Sequence, residues 1–339
     1  MKSSTKQQRG ILVGPGKIST KYVQACQAID EVKIVGVVSR NYERARYYAK
    51  EMNIQYSGVS LEEVAKKSDA TMVIVCTPNG AHREVIMKAV AQGLHVLCEK
   101  PLEISYVAQE EILTTCRDSG VKLTVSFLYR FLPHMQEIRQ LIQQGSFGII
   151  LSIDARLAVW RDSDYYSQSS WHGTEVMDGG GAFIQQGSHI VDMANWLAGG
   201  YHKVDCARRY TMVHPIPVED HGYATVRYES GAVGMLECST ISRGMNVQEI
   251  SITGTRGSAR VSLTGILEWS VESTPPPKIN DKCITKDFLF QELLKNFSKA
   301  IDQNLDPFIT SDSAVQTGNL IFEIYRVAGP SVHHINKVK

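Results

Sequence analysis

A glycine-rich segment near the start of the chain has the composition of a phosphate-binding turn. It follows a short apolar run and reads Gly-Pro-Gly-Lys-Ile-Ser from Gly14 onward. Gly14 allows a tight turn, and Gly16 lets the backbone come close to a pyrophosphate. A helix is predicted to begin here, so the backbone N–H groups of Lys17 and Ile18 would face that anion. Ser19 takes the third small position. Glycine-rich turns after strands are common, so the surrounding elements decide between a plain turn and a dinucleotide site.

The end of the second apolar run bears on which dinucleotide binds. Enzymes that use NAD usually have Asp or Glu here, to bind the ribose 2′-hydroxyl. This chain has Ser39 and Arg40 instead, and the first acid is Glu43. A guanidinium suits a 2′-phosphate, although Arg40 could equally be a solvated surface residue. The pattern favours NADP(H) and leaves NAD(H) possible.

A charged pair directly follows a later apolar run. Glu99 and Lys100 come after His95–Cys98 and precede Pro101. Lysines usually lie in solvent on long stems. Charges at the carboxyl end of a parallel strand lie instead where such sheets bind ligands, so Lys100 is a candidate for chemistry.

The elements that must position these residues alternate regularly up to about residue 126. Apolar runs that predict buried strands alternate with amphipathic stretches that predict helices; the predicted strands include residues 10–14, 32–39, 71–76, 95–98 and 121–126. Alternation at this spacing indicates βαβ units and a parallel sheet with helices on both faces. The fold class is therefore α/β, with a Rossmann dinucleotide-binding domain over residues 1–126.

The pattern changes in the second part of the chain, residues 127–339. A helix is predicted over residues 181–197, followed by several alternating strands joined by turns. Successive hairpins indicate an open, mostly antiparallel sheet in an α+β domain. On the predicted helix Gln185, His189, Asp192 and Trp196 share one stripe. Periodicity alone does not distinguish a stripe of functional residues from the solvent-exposed polar face of an ordinary amphipathic helix.

Composition excludes several classes of protein. Lys plus Arg number 36 against 35 for Asp plus Glu, and the net charge of +1 would hold neither nucleic acid nor an anionic membrane. Apolar runs are far shorter than the roughly 20 residues that span a bilayer. The seven cysteines are scattered, without a CxxC pair, which indicates reduced thiols in a cytoplasmic protein and no metal site.

Further motifs resemble those of the Gfo/Idh/MocA oxidoreductase family, which is named after glucose–fructose oxidoreductase and inositol dehydrogenase. The resemblance extends from Gly10 to about Arg326, and the Glu-Lys-Pro triplet at Glu99 is its most specific mark. A glycine run, a helix and a His-x-x-Asp form the second match, over residues 179–192. Within the family, the pair Tyr165-Tyr166 and the segment from Trp171 to Thr174 are most similar to the branch that contains UDP-N-acetyl-2-amino-2-deoxyglucuronate dehydrogenase.

The resemblance implies a nicotinamide-dependent transfer of hydride at a hydroxyl or carbonyl of a sugar, inositol or nucleotide-sugar. It gives Lys100 and His189 acid/base roles, since oxidation of an alcohol requires that its proton be removed. Relatives similar to inositol dehydrogenase have Asp four residues before this histidine. Here Gln185 can orient the imidazole but cannot stabilise its cation by charge, so more of the catalysis is expected from Lys100.

The same resemblance implies the remaining contacts. Expected at the cofactor are Gly14, Gly16, Lys17, Ile18, Ser39, Arg40, Thr77, Pro78, Asn79, His82, Glu99, Lys100 and Pro101. Expected at the substrate are Arg130, Tyr165, Tyr166, Trp171, Gln185 and His189. The family also implies a homodimer or homotetramer packed through the C-terminal sheet. The Lys100–Pro101 bond is expected to be cis.

Two other functions remain open from the sequence. The chain could be a non-catalytic sensor that binds NAD(P) and a sugar, or a reductase of a non-sugar carbonyl. Retention of both Lys100 and His189 favours an enzyme over a sensor.

Overall fold

The computed structural model describes residues 6–333, except for the side chain of Asp281. These residues form two compact units. The first contains residues up to 128 together with 285–314, and the second contains residues 129–284 and those from 315 onward. The change at residue 128 lies close to the expected boundary, but residues 285–314 return to the first unit. Residues 1–5 and 334–339 of the two expected domains lie outside the described part.

The helices and strands follow one another in two series. The first series is β1 (Gln8–Val13), α1 (Lys17–Gln27), β2 (Val32–Val38), α2 (Tyr42–Glu51), β3 (Tyr56–Gly58), α3 (Leu61–Ser68), β4 (Met72–Val75), α4 (His82–Ala91), β5 (His95–Cys98), α5 (Tyr106–Asp118) and β6 (Leu123–Val125). The second series is α6 (Pro133–Gln143), β7 (Ile150–Trp160), α7 (Ser163–Ser167), α8 (Ser188–Ala198), β8 (Tyr201–Thr211), β9 (His221–Tyr228), β10 (Val233–Ser239), β11 (Ile241–Gly254), β12 (Gly257–Ser262), β13 (Gly265–Val271), α9 (Lys286–Asp302), α10 (Ser311–Ala328) and β14 (Val332–His333).

The first unit contains a parallel six-stranded sheet in the order β3-β2-β1-β4-β5-β6. Every residue of β4 is buried, which explains why these strands are continuous apolar runs. The order reverses direction between β1 and β4, and ligands of such sheets bind at the carboxyl edge beside this point. Helix α9 packs on α1, where the rings of Tyr22 and Phe290 meet edge to face at 4.8 Å.

The second unit contains an eight-stranded mixed sheet in the order β13-β12-β11-β7-β10-β9-β8-β14. The pairs β7–β10 and β8–β14 are parallel, and the other neighbours are antiparallel. Residues of β9 alternate between buried and exposed, as expected of a sheet with one covered and one open face. Helix α8 packs on β7 and β11 and covers part of the inner face. The expected fold class is confirmed.

The helix predicted over residues 181–197 begins later than expected, at Ser188. Residues 182–187 form irregular turns. A Cβ at Gly181 would lie only 1.8 Å from the carbonyl oxygen of Glu219, which also accepts a hydrogen bond from Ala182 N–H. This close contact with a distant segment holds the backbone in a shape that helical periodicity could not reveal.

A buried ion pair lies in the core of the second unit. Arg130 donates through Nε and Nη2 to the two carboxylate oxygens of Asp192, at 2.8 and 2.5 Å. Their side chains are 2% and 1% exposed. The hydroxyl of Thr317 donates a third hydrogen bond to Asp192, at 2.7 Å. Paired geometry of this kind offsets the cost of taking both charges out of water.

Removing one charge of this pair is expected to destabilise the second unit strongly. Asp192→Ala leaves Arg130 buried without its counter-ion, and we expect the free energy of unfolding to fall by about 3–5 kcal/mol. Urea unfolding followed by tryptophan fluorescence measures this, since all four tryptophans (160, 171, 196 and 269) belong to the second unit. The control is Glu272→Ala, which breaks an exposed pair with Arg256 and should cost about 0–1 kcal/mol. Equal losses in both variants would contradict the prediction.

Candidate active site

The carboxyl edge of the parallel sheet carries the glycine-rich turn. Gly14 has φ +92°, and a Cβ on it would lie 2.7 Å from the carbonyl oxygen of Cys76. No residue other than glycine fits this contact with the end of β4. At Gly16 a Cβ would meet only the Arg44 guanidinium, at 3.9 Å. The backbone at Gly16 is therefore open to a phosphate group.

The side chain of Ser19 stabilises the glycine-rich turn by hydrogen bonds to its backbone. Its fully buried hydroxyl donates to the carbonyl oxygen of Gly16 at 2.7 Å and accepts from the N–H of the same glycine. The hydroxyl is also 2.9 Å from the Tyr48 hydroxyl on α2. Lys17 and Ile18 are exposed at the first turn of α1, where backbone N–H groups have no partner within the helix. This end of α1 fits an anion.

Two arginines follow β2, and they occupy different places. Arg44 on α2 donates to the carbonyl oxygen of Pro15, inside the glycine-rich turn. Sequence analysis did not identify this residue, because nothing in the order of residues links α2 to the turn. Arg40 is exposed beyond the end of β2, beside Ser39, whose hydroxyl accepts from Asn41 N–H at 3.3 Å.

The segment after β4 offers a polar atom to a ligand. The buried Oγ1 of Thr77 has no hydrogen-bond partner among residues 6–333. Buried hydroxyls normally have a partner, so this atom fits a bound group at the same sheet edge as Gly14. Pro78 and the buried Asn79 follow directly, at the start of a short 3₁₀ helix.

His82 connects this segment to the one after β5. The ring is fully buried. Its Nε2 is 2.9 Å from the carbonyl oxygen of Thr77, and its Nδ1 is 3.0 and 3.2 Å from those of Pro101 and Leu102. The structure thus places His82 where it supports the backbone on both sides of the site.

Glu99 and Lys100 leave β5 at the same edge. The Tyr22 hydroxyl donates to Glu99 Oε1 at 2.6 Å and lies 2.8 Å from the Ser126 hydroxyl. Burial, together with the charge of Glu99, raises the pKa of Tyr22 well above its usual value, so the phenol remains a donor. Lys100 is half-buried, and the Lys100–Pro101 bond is cis, as expected. These contacts fix the chain direction at Lys100.

His189 and Gln185 lie in the second unit. Both are half-buried, and the ring of Tyr129 lies 4.7 Å from that of His189 between centroids. Gln185 Nε2 donates at 2.7 Å to Oδ1 of Asp178, whose exposed fraction is 1%. Asp178 was not identified from the sequence. The residues of the predicted stripe differ in their surroundings: Gln185 and His189 are half-buried, whereas Asp192 is buried in an ion pair with Arg130.

An aromatic cluster lies in α7 and the loop that follows it. Tyr165 stacks on His172 at 4.9 Å with an interplanar angle of 7°, and meets Tyr166 edge to face at 5.1 Å. Trp171 also contacts His172, at 4.2 Å. Burial raises the pKa of Tyr166 to about 12, so its hydroxyl stays protonated at neutral pH. The cluster brings the expected residues Tyr165, Tyr166 and Trp171 together.

The arginine expected at the substrate, Arg130, is 1% exposed and paired with Asp192. A different arginine lies at the aromatic cluster. The guanidinium of Arg161 lies over the ring of Tyr165 at 5.2 Å. Its buried Nε has no acceptor within the described part of the chain. Arg161 is therefore the arginine of this cluster with a hydrogen bond to offer.

Two adjacent acids, Glu219 and Asp220, are fully buried in the second unit. Asp220 accepts from the backbone N–H groups of Met212, Val213 and His214 at 2.8–2.9 Å. Burial alone would raise the pKa of Asp220, but hydrogen bonds from the His214 ring and from these N–H groups lower it. Glu219 accepts from the Tyr325 hydroxyl at 2.8 Å and from Phe183 N–H at 3.1 Å. These carboxylates hold the backbone of residues 183 and 212–214.

No cluster of residues that could hold a metal ion occurs in the described part of the chain. Within residues 6–333, no helix is long and apolar enough to cross a bilayer.

Three proteins illustrate what the chain is similar to. The uncharacterized oxidoreductase YrbE of Bacillus subtilis (strain 168) is 27% identical over 328 residues, or 93% of each chain. Trans-1,2-dihydrobenzene-1,2-diol dehydrogenase of Xenopus tropicalis is 27% identical over 73% of this chain and 72% of that one. The WlbA dehydrogenase from Bordetella pertussis, solved in complex with NADH and UDP-GlcNAcA, has a TM-score of 0.86 at 28% identity, covering 95% of both chains.

Two successive segments of the chain match two family models in the expected order. Residues 9–127 match the oxidoreductase family with an NAD-binding Rossmann fold, and residues 135–260 match the GFO/IDH/MocA C-terminal domain. Together with the glycine-rich turn and Lys100 at one sheet edge, these matches establish that the protein is an NAD-binding oxidoreductase of the Gfo/Idh/MocA family.

Proposed function

We propose that the protein oxidises a hydroxyl, or reduces the corresponding carbonyl, on a cyclic polyol such as a sugar, an inositol or a nucleotide-sugar. One observation carries the proposal: Gly14, the unpartnered Thr77 hydroxyl and Lys100 follow three adjacent parallel strands at one edge. This edge fits a dinucleotide, which when bound supplies the acceptor or donor of hydride.

Lys100 acts on the reacting oxygen in this proposal. An ammonium group donates hydrogen bonds to an alkoxide that develops during oxidation and polarises a carbonyl during reduction. Glu99, held by Tyr22, and the carbonyl oxygen of Pro101, held by His82, flank Lys100. These contacts hold the backbone on both sides of Lys100.

His189 is the second acid/base group of the proposed mechanism, beside Lys100. An imidazole changes its charge near neutral pH and can accept the hydroxyl proton. Gln185 orients this ring and adds no charge of its own. The names of the relatives support a polyol, because a dihydrodiol and a nucleotide-sugar both carry neighbouring ring oxygens.

The aromatic cluster is the proposed substrate surface. Tyr165, Tyr166 and Trp171 offer flat apolar faces with polar edges, which suit a sugar ring. Arg161 offers the unpartnered Nε, and we assign to it the substrate contact first expected of Arg130. A guanidinium at this position favours oxygen-rich or anionic substituents.

For the cofactor we propose a preference for NADP(H), with NAD(H) accepted less well. Ser39 and the exposed Arg40 stand where an acid would bind the 2′-hydroxyl. The structure of the Bordetella relative contains NADH, so the fold itself accepts the unphosphorylated dinucleotide. The preference of this chain would come from Arg40.

We further propose that the protein is a cytoplasmic homodimer or homotetramer. Buried thiols such as Cys26 and Cys116, whose pKa burial raises to about 12, are typical of a reducing compartment. On the open face of the mixed sheet, Val233 and Met235 of β10 are each 52% exposed, and Tyr223 of β9 is 37% exposed. Exposed apolar residues on adjacent strands favour contact with a second copy.

Turnover of a polyol panel tests the function. The native protein, given free sugars, inositols and nucleotide-sugars with NADP⁺ or NAD⁺, should reduce the cofactor with at least one of them, as followed by absorbance of the reduced nicotinamide. Tight binding of both ligands without any turnover would indicate the sensor instead. Turnover restricted to non-sugar carbonyls would contradict the polyol assignment.

Loss of the Lys100 ammonium should affect the chemical step. Lys100→Met keeps most of the stem, and we expect kcat to fall by roughly 100-fold or more while nucleotide binding weakens less. Steady-state kinetics and cofactor titration measure the two quantities. Lys67→Met, at an exposed position of α3, is the control and should match the native protein. Near-native kcat in Lys100→Met would show that another residue carries the step.

The two arginines after β2 should separate cofactor choice from cofactor binding. Arg40→Ala should reduce the preference for NADP(H) by about 1–3 kcal/mol in kcat/KM. Arg44→Ala, which removes the bond to the glycine-rich turn, should weaken both dinucleotides alike. Arg46→Ala, exposed on the same helix, is the control. Equal kcat/KM for both cofactors in the native protein would overturn the proposed preference.

A charge on the open sheet face should reduce assembly. Met235→Glu places a carboxylate among the exposed apolar residues of β9 and β10, where its desolvation would oppose contact between copies. Light scattering after size-exclusion chromatography should show a smaller species than the native oligomer. Leu267→Glu on β13, 45% exposed, is the matched control. A monomeric native protein, or an unchanged mass in Met235→Glu, would count against this interface.

A further inference from the structure

We propose that Tyr22 is a positioning residue for Lys100: its hydroxyl holds the Glu99 carboxylate, whose second oxygen fixes the backbone N–H of Lys100. The inference rests on the proposed role of Lys100 in the chemical step. Tyr22 lies on α1, and no motif of the sequence marks it. Because its side chain is fully buried, it acts on the lysine through Glu99 and not by contact with a ligand.

The two carboxylate oxygens of Glu99 have different partners. Oε1 accepts from the Tyr22 hydroxyl at 2.6 Å, and Oε2 accepts from the backbone N–H of Lys100 at 3.2 Å. A short hydrogen bond to a carboxylate is stronger than one between neutral groups. The bond to Tyr22 therefore decides how the carboxylate is turned, and the bond to Lys100 depends on that direction.

The direction of the hydrogen bonds around Tyr22 is settled by its single hydroxyl proton. That proton goes to Glu99, so the 2.8 Å contact between the Tyr22 and Ser126 oxygens uses the proton of Ser126. Burial and the charge of Glu99 raise the pKa of Tyr22 well above its usual value, which keeps the proton on the phenol. The bonds then run from Ser126 through Tyr22 to Glu99, and bonds in series strengthen one another.

The ring of Tyr22 is held from the other side by α9. The Phe290 ring meets it edge to face, with centroids 4.8 Å apart and an interplanar angle of 74°, and Phe290 is 1% exposed. Helix α9 belongs to residues 285–314, which follow most of the second unit along the chain and return to the first. A late segment of the chain thus fixes the hydroxyl on which the direction of Glu99 depends.

Removal of this one hydroxyl is the test. In Tyr22→Phe the carboxylate of Glu99 loses its short bond and can turn away from the N–H of Lys100. A misplacement of about 1 Å at a catalytic group can cost on the order of 100-fold in rate. We expect kcat to fall about 10-fold or more, with little change in cofactor KM, because the glycine-rich turn keeps all its own contacts.

Two other tyrosines of the first unit are matched controls. The Tyr48 hydroxyl is 2.9 Å from that of Ser19, which bonds to the backbone of Gly16 in the glycine-rich turn. Tyr48→Phe should therefore raise cofactor KM and leave kcat near the native value. Tyr47 is 65% exposed, and its hydroxyl donates to Glu51 at 2.7 Å. Tyr47→Phe removes a tyrosine–carboxylate bond on the surface of α2 and should match the native protein.

A merely structural role of Tyr22 predicts a different pattern. Tyr22→Phe would then lose stability but keep native kcat, or would raise cofactor KM alone, as expected of Tyr48→Phe; either result overturns the inference. Unfolding midpoints in urea establish that each variant is folded.

A double-mutant cycle shows whether Tyr22 acts through Glu99. In Glu99→Gln the amide can accept at only one of the two places, so kcat should again fall about 10-fold or more. The double variant should be no worse than the more damaged single variant, since both substitutions break the same connection; additive losses would overturn the inference. Should Tyr22→Phe not fold, Glu99→Gln alone decides, and native kcat in it would count against the proposal.

An experiment on the free protein keeps this inference separate from the proposed function. With ¹⁵N-labelled lysine, the backbone N–H signal of Lys100 is identified by its loss in Lys100→Met. In Tyr22→Phe this N–H should exchange with solvent at least about 10-fold faster than in the native protein, and in Tyr47→Phe at the native rate. Unchanged exchange in Tyr22→Phe would overturn the inference. If the native protein turns over no polyol while this change occurs, the proposed function fails and the positioning of Lys100 by Tyr22 stands.

Discussion

The close contact between two strand ends underlies the carboxyl edge of the parallel sheet in the first unit. The turn after β1 approaches the backbone after β4 so closely that a Cβ at Gly14 would lie 2.7 Å from the Cys76 carbonyl oxygen. Because that approach is possible, the helix that follows can present its N-terminus at the sheet edge. The Thr77 hydroxyl and Lys100 then lie at the same edge, as β4 and β5 are the next strands in the sheet.

The second unit is organised by buried carboxylates. Asp192 neutralises Arg130 in the core, Glu219 and Asp220 accept hydrogen bonds from the backbone N–H groups of Phe183 and His214, and Asp178 joins the loop that carries Trp171 to Gln185. Each of these acids accepts several hydrogen bonds, which is the condition under which burying a charge is tolerated. The backbone around the aromatic cluster and Gln185 is therefore held by buried charged groups of the second unit.

Much of the first unit could be predicted from the sequence, and the reason is local. Buried parallel strands are apolar runs, so β2, β4 and β5 were placed within a residue or two. Strand β3 has three residues, too few for a periodic pattern, and together with α3 it was not predicted. The start of α8 was wrong because a contact with Glu219, thirty or more residues away in sequence, overrides helical periodicity.

Candidate site residues could be identified from the sequence only where they belong to a motif. Gly14, Lys100 and His189 stand in patterns, whereas Arg44, Asp178 and Arg161 do not. The last three depend on which segments the fold brings together, and no spacing along the chain encodes that. Arg130 shows the converse, since its place beside a motif did not reveal that a carboxylate from α8 buries it.

The separation of Arg40 from Arg44 has an evolutionary consequence. Arg44 is tied to the glycine-rich turn through the Pro15 carbonyl oxygen, while Arg40 is exposed beyond the strand end. A lineage can therefore exchange the residue at position 40 without disturbing the shape of the turn. Under the proposed role of Arg40, cofactor choice would be a single-step trait, open to selection by whichever dinucleotide pool the cell keeps more oxidised or more reduced.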